Sequence, residues 1–407
     1  MSETVNSNQL HLHVSGVDRP GVLADVLAFI VESECLVVDI KQFVFNGLLN
    51  LSLLVECKDV SKLEALRHSI VKVEKLKKYH IGCTPWEREL RPERPYKFRQ
   101  VVTLLGRRLG PVALAELTRT LASLDLNILR IEQLDYSDHH VLEFVIGAQK
   151  RMAGVNVLDA LVNFKEQFEV DLAVQEDTLF RRNKRLIVMD ADMTFLQCEV
   201  IDELGKVAGV GEELGQITRA AMNGEVDFEE ALRRRVALLK GLTVEQLHEV
   251  SSRIPLTPGA ETLVAILKKL GFKIAIVSGG FRFFIDQFKE TYGLDYGFAN
   301  SLELTDGKVT GNLVGDIVDA GAKKEILLSL AEREGLSVEQ IVAVGDGAND
   351  IQMLASAGLG IAFNAKPIVE QHAQASLKTL NLEPILYFLG IPGIEIQELR
   401  DILQTGR

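Results

Sequence analysis

The sequence is short of several things that would mark a chain's surroundings. Its four cysteines in 407 residues, Cys35, Cys57, Cys83 and Cys198, form no C-x-x-C pair and no zinc-ligand spacing. Neither a disulfide scaffold nor a structural metal is indicated, and free thiols in a reducing compartment are expected. No apolar run approaches the ~20 residues of a membrane span, and the polar opening 1–9 does not read as a signal peptide. A cytoplasmic chain without a membrane partner is expected. Positive charge is in deficit: 45 Lys and Arg against 57 Asp and Glu leave a net charge of -12, which argues against a nucleic-acid partner. What remains is an ordinary globular composition, 47% hydrophobic and 25% charged, in a chain long enough for two or three domains.

The stretch 185–194, Arg-Leu-Ile-Val-Met-Asp-Ala-Asp-Met-Thr, organises the chain. It is a short, β-branched apolar run of the kind that forms a buried parallel strand, and it stops on two carboxylates, Asp190 and Asp192. Ligands of open α/β sheets gather outside the carboxyl ends of the strands, so both acids stand where substrate and metal would sit. Side chains alternate along an extended chain. Both carboxylates therefore reach one site only if the chain turns after Asp190, or if one residue offers its backbone carbonyl instead. A polar strand end followed by a helix cap at Thr194 would give the same local sequence.

Three later stretches extend the pattern. The run 272–277 leads into Ser278-Gly279-Gly280, the run 341–344 leads into 345–350 (Gly-Asp-Gly-Ala-Asn-Asp), and Lys323 lies in a helix-like segment between them. This ordered set resembles the haloacid dehalogenase superfamily of phosphotransferases over residues 185–390, and within it the phosphoserine phosphatases. Ala191 and Met193 depart from the bulkier apolar residue and the serine that the family more often has there. Neither position supplies a required carboxylate.

The resemblance implies an α/β, Rossmann-like core with a helical cap, and a Mg²⁺-dependent hydrolysis of O-phospho-L-serine to L-serine, the last step of serine biosynthesis. It makes Asp190 the nucleophile and Asp192 the general acid and base. Ser278, Gly279 and Lys323 would hold the phosphoryl group. Asp190, Asp192 through its carbonyl, and Asp346 would hold the metal, with Asp350 and Asn349 behind them. Helical periodicity over 199–253 predicts a cap inserted after the first strand. Within it Glu199 and Arg235 match the positions that grip the substrate's ammonium and carboxylate, and Met222 and Phe228 match apolar lining positions, although core packing would also explain those two. Passing the phosphoryl group to another hydroxyl, or sensing amino acids without catalysis, are the alternative functions.

Upstream, residues 10–82 read as βαββαβ. A strand comes first, then a helix with Asp18 as N-cap and Pro20 just inside its start. A hairpin over 36–56 turns at Asn46-Gly47, and a helix from about 60 leads to a last strand. With the opening 16–23, Gly-Val-Asp-Arg-Pro-Gly-Val-Leu, this resembles an ACT domain, a ferredoxin-like module that binds amino acids. The same grammar returns over 101–175, with strands at 101–106, 126–135, 140–146 and 168–175 and helices at 111–124 and 155–167, and resembles a second, diverged ACT domain. The expected domains are thus 1–84, 96–178 and 185–390, with a helical tail at 391–407. A charged, proline-rich linker covers 84–95, and the basic cluster 181–185 reads as solvated. Gly16, Asp18, Gly21 and Gly110 would line effector sites for L-serine or another amino acid, although the glycines could equally be backbone devices. Exposed sheet edges make a homodimer through these domains the natural assembly.

Overall fold

The structure, a computed structural model, describes residues 8–73, 76–86, 96–107, 109–135, 140–149, 157–222 and 225–405. The linker over 87–95 and the turn at 136–139 lie outside the described residues. The chain divides into two compact units, 1–95 and 96–407.

In the first unit, strands β1 (Gln9–Val17), β2 (Leu36–Phe45), β3 (Leu48–Glu56) and β4 (His80–Pro85) form an antiparallel sheet in the order β2-β3-β1-β4. Leu10, Leu12 and Val14 alternate inward from β1 and bury against Val22, Val26 and Ile30 of the helix Val22–Glu32. The hairpin turn is as predicted, with Asn46 and Gly47 both at positive φ. Thr84 and Pro85, expected in the linker, continue β4. The helix start is a correction: its N-cap is Gly21 in the left-handed region, φ 93°, so Asp18 caps nothing and Pro20 precedes the helix. Asp18 instead donates its N–H to the Gly47 carbonyl at 2.9 Å. A second correction concerns the thiols. Cys35 and Cys57 are disulfide-bonded. They flank the hairpin just beyond the pair Leu36↔Glu56, and the ladder sets them face to face.

In the second unit, β5 (Phe98–Gly106), β6 (Asn127–Asp135), β7 (His140–Ala148) and β8 (Asp171–Glu176) repeat the first sheet's order as β6-β7-β5-β8. The helix expected over 155–167 is broken at Leu161 into Val157–Ala160 and Val162–Phe168. Beyond it come β9 (Leu186–Met189), β10 (Lys273–Phe281), β11 (Tyr296–Thr305), β12 (Lys308–Val314), β13 (Ile341–Gly345), β14 (Leu359–Phe363) and β15 (Ala375–Leu377). Parallel pairing joins β11-β10-β9-β13-β14-β15, and β15 pairs antiparallel with β8, so one eleven-stranded sheet runs from β12 to β6. The central strands bury both faces: Ile187 and Met189 enter one core, Leu186 and Val188 the other.

The seam between repeat and core is well tied. Asp171 accepts the N–H of Lys378 at 2.6 Å and the Thr379 hydroxyl at 2.7 Å, and Lys165 pairs with Glu370. The basic cluster is a third correction: Arg181 and Lys184 are buried. Glu143, fully buried, draws Arg181, Arg182 and Arg130 to itself, and Lys184 donates to the Glu339 carbonyl. Charged residues enter a core when such partners wait for them.

Candidate active site

The chain turns after Asp190, as it must for both acids to face one place. Residues Ala191–Phe195 make a single wide turn closed by Phe195 N–H to Asp190 O and Leu196 N–H to Ala191 O, with Met193 at φ 56°. Thr257, buried, donates its hydroxyl to Thr194 O at 2.7 Å and holds the turn from behind. Asp190 and Asp192 thereby line one cavity of about 410 Å³, together with Glu199, Arg235, Gly279 and Asp346.

Lys323 is the electrostatic centre. Its helix, Ala320–Arg333, starts at an Asp319 cap and carries the ammonium into the core, fully buried, 2.7 Å from both Asp190 Oδ1 and Asp350 Oδ1. Burial pushes its pKa down, but the two carboxylates outweigh that and hold it above its ordinary value. Asp350 is engaged on both oxygens: Oδ1 takes Lys323, and Oδ2 takes the N–H groups of Asp346 (3.2 Å) and Gly347 (3.0 Å). Burial and then Asp350 push the Asp190 carboxyl well up, with Lys323 opposing. Asp192 is pushed up to about 7 by burial and then by Glu199, and Asp346 to about 7 by burial and then by Asp350.

Oxygens of Asp190, Asp346 and Asp350 lie within 4.8 Å of one another. A donor set of carboxylates alone, without His or Cys, fits a hard divalent cation.

Ser278 and Gly279 sit where the register of β10 against β11 breaks, between Val277 and Phe281. Ser278 Oγ accepts the Gly280 N–H at 2.8 Å, which leaves its own hydrogen to donate. Asn300, buried, donates to Gly279 O at 2.8 Å and accepts from Val318 N at 2.8 Å, fixing the loop. Within the cap helix Phe228–Leu238, Arg235 is half-buried, its Nε without a hydrogen-bond partner among the described residues. Glu199 is the N-cap residue of Val200–Ala208, whose first N–H donates to Asp192 Oδ1 at 3.2 Å. Phe228 and Asn349 also line the cavity, whereas the Met222 side chain lies outside the described residues.

Sequence reasoning missed Thr257 and Asn300 and offered Thr194 only as a helix cap, whereas it lies inside the 191–195 turn and Glu199 is the N-cap of the next helix. Thr194, Thr257 and Asn300 are each buried polar residues whose partners are fixed only by the fold. For the loop residues, Gly16 has a structural need, since a Cβ there would stand 2.6 Å from the Tyr79 ring, and Gly21 needs its positive φ. Gly110, at φ -80° with open space around it, shows neither.

With this geometry in view, comparisons place the chain. The profile of haloacid dehalogenase-like hydrolases matches residues 184–358, and that of ACT domains residues 8–79. The chain is 38% identical to a phosphoserine phosphatase of Streptomyces coelicolor over 97% of this chain and 95% of that one. It is 44% identical to a phosphoserine phosphatase of Archaeoglobus fulgidus over 77% and 90% of the two chains. A solved haloacid dehalogenase-family hydrolase from Salmonella enterica serovar Typhi superposes with a TM-score of 0.63 at 30% identity, covering 71% of this chain and 98% of that one. The chain is an enzyme with a haloacid dehalogenase-like hydrolase domain and an ACT domain, and it belongs to the phosphoserine phosphatase family.

Proposed function

We propose that this chain hydrolyses O-phospho-L-serine to L-serine and phosphate with Mg²⁺, through a phosphoryl group carried on Asp190. The observation that carries the reading is one cavity lined both by Asp190, which is held against the buried Lys323, and by Glu199 and Arg235. Asp190 with Lys323 suits a phosphate monoester, and Glu199 and Arg235 suit an ammonium and a carboxylate.

Asp190 attacks phosphorus and the bond to the serine oxygen breaks. Asp192, whose raised pKa keeps much of it protonated near neutrality, gives its proton to that oxygen. Asp192 then takes a proton from water, which attacks the acyl phosphate, restores Asp190 and releases phosphate. Ser278 Oγ–H and the Gly279 N–H donate to phosphoryl oxygens, with Lys323 countering their charge. Asp190, Asp346 and the Asp192 carbonyl would hold Mg²⁺, while Asp350 positions Lys323 and the 346–347 backbone. The chemistry that Mg²⁺ supplies is neutralisation of the phosphoryl oxygens facing Asp190.

We further propose that residues 101–175 form a second, diverged ACT domain, on the shared strand order. The loop holding Gly16, Asp18 and Gly21, with Gly110 its counterpart, is the proposed effector site for L-serine or a similar amino acid. Homodimerisation is proposed through β2, an edge strand that exposes Phe43, Val44 and Phe45 to solvent.

Phosphate release from a panel of phospho-amino acids and sugar phosphates, with and without Mg²⁺, tests the substrate. Arg235→Ala should cost about 2–5 kcal/mol in kcat/KM on phosphoserine and far less on a generic phosphate ester. Equal losses on both would remove the recognition role.

A further inference from the structure

β11 runs beside β10, and Asn300 is the one residue of β11 that is fully buried. A buried amide needs a partner for each of its ends, and those of Asn300 are of opposite kind. Nδ2 donates to Gly279 O and Oδ1 accepts the Val318 N–H, each at 2.8 Å. The two partners fix which end of the amide is which, and only a side chain with one donor and one acceptor at this reach serves both.

Each partner belongs to a segment that faces the phosphoryl group in the proposed reaction. β10 runs from Val277 to Phe281 while β11 runs only from Phe298 to Asn300, so Ser278, Gly279 and Gly280 swell out of the ladder. The Gly279 carbonyl and the Gly280 N–H lie in one peptide plane. Asn300 holds that plane by its carbonyl edge, and Ser278 Oγ holds it by its N–H edge at 2.8 Å. Turning the peptide would take the N–H away from Ser278 and leave the hydroxyl free to rotate. The bulge sits tightly on the reacting groups, since a Cβ on Gly280 would stand 3.0 Å from both Asp192 Oδ2 and Ser278 Oγ. The other partner, Val318, directly precedes Asp319, which caps the helix that brings Lys323 to Asp190. The two segments lie against each other, with a Cβ on Gly279 only 3.8 Å from Val318 O.

We propose that Asn300 is a positioning residue for phosphoryl transfer: it orients the Gly279-Gly280 peptide, and through it the Ser278 hydroxyl, and ties that loop to the start of the Lys323 helix. The proposal rests on the phosphoryl-holding roles given above to Ser278 and Lys323. Asn300 is not among the residues that line the catalytic cavity and acts only through its neighbours. An amide that served the fold alone would set how many molecules are active, whereas a positioning amide sets how well each active site grips a phosphoryl group.

Competitive inhibition by orthovanadate with Mg²⁺ separates these, because vanadate oxygens imitate a phosphoryl group in transfer and an inhibition constant does not depend on the active fraction. Asn300→Asp keeps the acceptor for the Val318 N–H and removes only the donor to Gly279 O. It should weaken vanadate by about tenfold or more, with kcat/KM falling by a similar factor on phosphoserine and on a generic phosphate ester alike. Asn300→Ala, which removes both arms, should weaken it at least as much. In a Ser278→Ala background, Asn300→Asp should add less than about threefold, since its route through the hydroxyl is gone. Fully additive losses, an unchanged vanadate constant beside a lower kcat, a loss confined to phosphoserine, or failure of both single variants to fold by circular dichroism would each overturn the proposal. Parent-like vanadate binding by Ser278→Ala would remove the role read for Ser278 itself, and the proposal with it.

Discussion

The two βαββαβ repeats share a strand order and differ in what they do with their edges. The first closes its core within residues 1–95, around Leu12, Val14, Val26 and Leu53, and keeps β2 as a free edge. The second keeps a core of its own, around Leu104, Leu117 and Phe144, but spends β8 on pairing with β15, so its sheet becomes part of the catalytic one. The same fold thus serves once as a self-contained module and once as a structural extension. The difference comes from a few side chains, Lys165, Asp171 and Gln175, that reach across the seam to Glu370, the 378–379 segment and Phe388.

That contrast can be broken most forcefully by truncation. A chain starting at residue 96 should fold and retain phosphatase activity, while one starting at 184 should be insoluble or inactive, because it bares β15 and the apolar ground under β8. Solubility and phosphate release on both chains decide this, and an active, soluble 184–407 chain would undo the claim of a structural extension. Glu143→Ala is the next largest effect. It strands the buried Arg181 and should destabilise the unit 96–407 by about 3–5 kcal/mol in denaturant unfolding, leaving the first repeat's transition where it was.

Protonation should separate the two units more gently. Asp192 and Asp346 have folded pKa values near 7, and Asp190 is also raised, so the folded catalytic site binds protons more tightly than the unfolded chain does. The stability they contribute is complete below the unfolded value near 4 and is lost as pH rises through about 7. In EDTA, the Tm of the 96–407 chain should therefore fall between pH 5 and 8, and saturating Mg²⁺ should flatten the slope; a slope unchanged by Mg²⁺ would separate these carboxylates from metal binding. The smallest effect on stability is expected at the free edge: Val44→Lys on β2 should shift the full chain toward monomer in sedimentation while moving Tm little. An unaltered dimer would place the interface elsewhere.

Much of this was legible before any coordinates. Asp190, Asp192 and Asp346 follow strand ends, where buried β-branched runs such as Ile187-Val188 and Val342-Ala343-Val344 announce the strand and the acids announce its end, and Ser278 marks the break in β10. The cap helices followed from apolar periodicity. What sequence could not supply was pairing at a distance. Arg181 and Lys184 look solvated until Glu143 and Glu339, far away in the chain, are brought to them, and the same holds for Asn300 between Gly279 and Val318. The Cys35–Cys57 bond lay closer to reach, since the hairpin about Asn46-Gly47 sets its two ends opposite. The first helix's start was misread because Asp18 fits the chemistry of a cap, whereas the turn belongs to Gly21 and its left-handed backbone.

The pairing of β8 with β15 also has a consequence for the order of synthesis. β8 ends at Glu176 and β15 begins at Ala375, so the repeat can leave the ribosome complete while the strand that joins it is still to be made. Domains fold as units with the N-terminal parts first, and the open edge of β8 must then wait through the whole of β9 to β14. For that interval the nascent chain presents a formed strand edge with no neighbour, and its safe partner is the last strand of its own sheet. Residues 375–377 are therefore the step that removes the nascent chain's exposure to wrong pairing.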